Sequence, residues 1–175
     1  MGLLHRRAAP RLRVSIAVAL STFDSDDARR AVLLCLHDHD VDMVRQVVRL
    51  VPELETAESG QALLDRYKYC SEDSLRHDIL DALLRLQGQE PGISEEWIRE
   101  FKGQLLNSTN ARLIRRCSEL LLSFRDSDAA VKACQEIVDS NRFAKDGLME
   151  HFQRFMKSSR MRSRDTGSAY DFDSN

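Results

Sequence analysis

The chain has little of what loop-built active sites require. Only 7 glycines and 3 prolines occur in 175 residues, too few for a β-rich or turn-rich fold. No glycine-rich phosphate loop, nucleophile elbow or HExxH helix is present. Four cysteines, Cys35, Cys70, Cys117 and Cys134, lie far apart with no CxxC pair, so neither a disulfide framework nor a zinc knuckle is expected. Charge of one sign is also missing. The 26 Lys and Arg are balanced by 28 Asp and Glu, and an autonomous nucleic-acid binder usually carries a basic excess. No apolar run approaches the length of a membrane span. These absences leave a helix-rich chain that uses no cofactor, no metal and no membrane, and an enzymatic role is not expected.

One short stretch looks like chemistry. "HDHDVD", residues 37–42, alternates histidine and aspartate. As an EF-hand loop it supplies acids at positions 1, 3 and 5 (Asp38, Asp40, Asp42). Position 6 is then Met43 instead of glycine, and position 12 is Arg49 instead of glutamate. The remaining histidines stand at no zinc-like spacing. The alternative is a helix junction, in which Asp38 or Asp40 caps the next helix and Asp42 complements its dipole. Similar polar clusters precede other apolar segments, at Asp24, Ser71, Ser94, Ser108 and Asp126, which favours the junction.

What is abundant is a repeated apolar frame. Residues at offsets 0, +4, +8 and +11 read Leu12, Ile16, Leu20, Phe23, then Met43, Val47, Val51, Leu54. The frame returns as Leu75, Ile79, Leu83, Leu86, as Leu113, Cys117, Leu121, Phe124, and as Ala144, Leu148, Phe152, Phe155. The starts are 31, 32, 38 and 31 residues apart, and the long interval holds "QGQEPG" at 87–92, a natural loop. Between these copies lie shorter amphipathic segments, carrying Val32 and Leu36, Leu63 and Tyr67, Trp97 and Phe101, and Cys134 and Ile137. Trp97 belongs to an apolar stripe and is read as core. Such spacing marks a tandem array in which each unit buries its face against a neighbour.

This pattern resembles HEAT or armadillo-type repeats over about residues 11–156. "RLRVSIAVALSTF" and "SLRHDILDALLRL" look like second helices of HEAT units, with an apolar-Arg step at Leu12-Arg13 and Leu75-Arg76. The arginine slips to Arg45 and Arg112 in other copies. The resemblance implies an all-α solenoid of about four helix pairs plus one N-terminal helix, whose second helices line a ligand-facing concave surface. Residues 1–10 form an extension and 157–175 a disordered tail, rich in Ser, Arg and Asp. Ser163 and Thr166 follow arginines there and are candidate kinase targets.

The concave positions implied by that frame give the candidate partner-binding set: Arg45, Arg49, His77, Asp81, Arg115, Arg116 and Glu119. Their mixed signs suit a protein partner better than a duplex. The expected function is therefore a protein–protein interaction scaffold. The alternative is a nucleic-acid-binding HEAT-like protein of DNA-repair type, with the arginines on phosphates. The first copy is unusual. Val14, Ser15 and Val18 stand where other copies are charged or polar, so this helix is apolar on more than one side and is expected to self-associate or join a larger complex. The expected location is cytoplasm or nucleus, with the mitochondrial matrix as the alternative because residues 1–23 hold arginines and no acid.

Overall fold

A computed structural model describes residues 10–54, 56–86, 95–124, 127–144 and 147–167. Among them the chain is all-helical, with nine α-helices and no strand. It divides into two compact units, Met1–Gly92 and Ile93–Asn175, where the sequence suggested one repeat domain over 11–156.

The first unit contains α1 (Pro10–Ser21), α2 (Asp26–Leu34), α3 (Val41–Leu50), α4 (Ser59–Lys68) and α5 (Asp73–Leu86). Pro10 opens α1, where its missing N–H costs nothing. The "HDHDVD" stretch is a junction. Asp40 caps α3, its carboxylate accepting from the amides of Asp42 (3.0 Å) and Met43 (3.1 Å), while Asp38 accepts from the Asp40 amide at 2.9 Å. α3 packs against both α1 and α5, and α4 packs against α5. The apolar frames of the second and third copies are accordingly buried throughout: Met43, Val47, Val51 and Leu54, then Leu75, Ile79, Leu83 and Leu86. Leu63, Leu64 and Tyr67 of α4 complete this core.

The second unit contains α6 (Glu95–Asn107), α7 (Ala111–Ser123), α8 (Asp128–Asp139) and α9 (Leu148–Gly167). Asn110 caps α7 through the amides of Arg112 (3.1 Å) and Leu113 (3.4 Å), and Ser127 caps α8 through the Ala130 amide at 3.3 Å. After α8 the backbone turns at Asn141, φ 55°, a left-handed position that asparagine tolerates. Leu113, Cys117, Leu121 and Phe124 are buried. Trp97 is core as expected, edge-on to Phe101 at 6.3 Å, and Phe101 stacks on Phe124 at 6.4 Å.

Two expectations change. The first copy of the frame faces the core only in part: Leu12 and Phe23 are exposed, Ile16 and Leu20 half-buried, and the buried residues of α1 are Arg13 and Ala17. α1 packs on α2 and α3, which leaves Val14, Ile16 and Leu20 half-buried and Leu12, Val18 and Phe23 exposed among the described residues. The last copy is similar in part, with Ala144 exposed, Leu148 half-buried, and only Phe152 and Phe155 buried. The tail boundary also moves. α9 continues through Gly167, past the end of the apolar frame, because its backbone bonds need no apolar neighbour and Lys, Arg and Met are good helix formers. Residues 1–9 and 168–175, with the whole "QGQEPG" stretch, lie outside the described residues.

Candidate interaction surface

In the first unit the candidate residues sit on α3 (Arg45, Arg49) and α5 (His77, Asp81). Arg45 is the most engaged side chain of the set. Its Nε donates to Asp78 Oδ2 at 2.9 Å, and its Nη2 donates to Glu72 Oε1 and Ser74 Oγ, both at 2.9 Å. Asp42 lies 3.4 Å from its Nη1. Three carboxylates thus surround one guanidinium, which ties α3 to the start of α5. Arg49 is different: it is exposed in the last turn of α3, where it complements the helix dipole and makes no hydrogen bond or ion pair among the described residues. His77 Nδ1 lies 3.5 Å from Asp81 Oδ2 one turn along α5.

In the second unit Arg115, Arg116 and Glu119 share one face of α7. Arg115 Nε donates to Glu119 Oε1 at 3.0 Å and Arg116 Nη1 to Glu119 Oε2 at 2.7 Å. Partial burial pushes the Glu119 carboxyl up, but the hydrogen bonds and charges of Arg116 and Arg115 outweigh it, so Glu119 titrates below the ordinary glutamate range. On α6, Lys102 reaches Glu136 of α8 at 2.5 Å, and that hydrogen bond likewise lowers the Glu136 carboxyl.

A structural pairing emerges that the sequence did not single out. Arg13, buried on α1, donates from Nη2 to Asp38 Oδ1 (3.2 Å), brings Nε within 3.1 Å of Asp38 Oδ2 as an ion pair, and approaches Asp40 at 3.8 Å. Arg13 and Arg45 do the same job one copy apart. Each reaches from one frame helix to the residues that open the next, Asp38 and Asp40 before α3, Glu72 before α5. The signal was visible as the apolar-Arg step, but the partner acids lie 25 to 33 residues away. Beside this pair, burial pushes the Cys35 thiol up, reinforced by Asp38 and opposed by Arg13. Burial alone pushes the Cys134 thiol up to about 12, so a nucleophilic role has no support at either site. Among the described residues no cluster of three or more His, Cys, Asp or Glu side chains could hold a metal ion, and no helix is long and apolar enough to cross a membrane.

The other feature of the first unit is apolar, and the sequence anticipated it in part. Leu12 is 54% exposed and Phe23 61% exposed, and Val18, on another side of the helix, is also exposed. Such side chains grouped along one short helix are more informative than scattered ones. The odd composition of this copy, with Val14, Ser15 and Val18, was the signal.

No protein family matches the chain, and neither does any curated protein. Among solved structures, the crystal structure of an engineered protein from the Northeast Structural Genomics Consortium is similar over 98% of this chain and 87% of its own, at 13% identity and a TM-score of 0.51. Similarity at that identity concerns the fold alone.

Proposed function

We propose that the chain is a helical-repeat scaffold of HEAT or armadillo type that acts by binding protein rather than by catalysis. The observation that carries this reading is the set of large apolar side chains left exposed along and just after α1 among the described residues, Leu12, Val18 and Phe23. Apolar surface left open on a helix is stabilised when another protein removes it from water, at about 25 cal/mol per Å². The polar candidates take a supporting part. Arg49 is the cation of α3 open to an acidic partner, whereas Arg45 is bound by Asp42, Glu72 and Asp78.

That same saturation weighs against the DNA-repair alternative. A phosphate approaching Arg45 meets three carboxylates first, and Arg115 and Arg116 already share Glu119. The test is affinity capture of the tagged chain with and without nuclease, alongside the Phe23→Glu and Arg49→Glu variants. The expected result is a discrete protein partner that survives nuclease and is lost with Phe23→Glu. Loss of every partner on nuclease treatment, with retention by both variants, overturns the reading in favour of nucleic acid.

A further inference from the structure

We draw no further inference here: the strongest candidate, the surface patch of exposed apolar side chains Leu12 and Phe23 along and just after α1, is an unpartnered helix face, and nothing in the structure shows what covers it.

Discussion

Met43, Val47, Val51 and Leu54, along and just after α3, are all buried, whereas Leu12 and Phe23, the equivalent ends of the frame through α1, are exposed. The two helices have the same apolar spacing. They differ in neighbours: α3 lies against α1 and α5, while α1 lies against α2 and α3. Periodicity in a sequence therefore reports which face of a helix is apolar, and says nothing of whether anything covers it. In α1 a buried arginine, Arg13, occupies part of the side that packs, and the apolar ladder is only half covered, with Ile16 and Leu20 half-buried and Leu12 and Phe23 exposed.

The largest test of this contrast is a matched truncation. Met43→Ala removes a fully buried side chain and is expected to cost about 2–5 kcal/mol, while Leu12→Ala, at the same frame position in α1, changes stability by less than about 0.5 kcal/mol. Denaturant titration of dilute protein measures both, and equal costs would break the comparison. Next comes Arg13→Ala, expected to cost about 1–3 kcal/mol because Asp38 and Asp40 lose their cation beside the core. Replacing both aspartates with asparagine in the same protein should recover part of that loss, and a double-mutant cycle reads the coupling.

The smallest effect sharpens the contrast between a buried and an exposed ion pair. Glu119 titrates below its ordinary range because Arg116 and Arg115 hold it charged against its partial burial. A carboxyl depressed in the folded state binds fewer protons than in the unfolded chain, so its contribution is present at neutral pH. It is lost as pH falls through the acidic range. Since the Glu119 side chain is 36% open to water and that of Arg115 77%, Glu119→Gln is expected to cost under about 1 kcal/mol at pH 7, and the difference from the native chain vanishes at low pH. Stability curves of both proteins between neutral and acid pH check it.

Much of the helical architecture was legible because the second, third and fourth copies of the frame bury every one of their four positions. Capping was legible at Asp40 for the same reason: the cap acts on amides two and three residues away. What could not be read was anything needing a partner distant in sequence. Arg45 looked like an outward handle, since offset +2 points off the apolar frame, yet Glu72, Ser74 and Asp78 come to meet it. Arg49, one turn later, has no such neighbours and keeps the exposure expected of it. The division near Gly92 was not readable either, because the loop that lengthens the third interval reads equally as a connection within one body.

The reach of Arg13 and Arg45 has a consequence for how the first unit assembles. Each arginine links its own copy to the residues that open the next one, and these bonds span only 25 to 33 residues. Closing loops of that size costs little more than closing shorter ones, so a growing chain can lock each helix against its predecessor as soon as it emerges. An architecture held by nearest-neighbour clasps is also one in which a whole copy can be inserted or deleted in a single event. The two arginines that fix the register of the helices also make the number of helices the property most open to change.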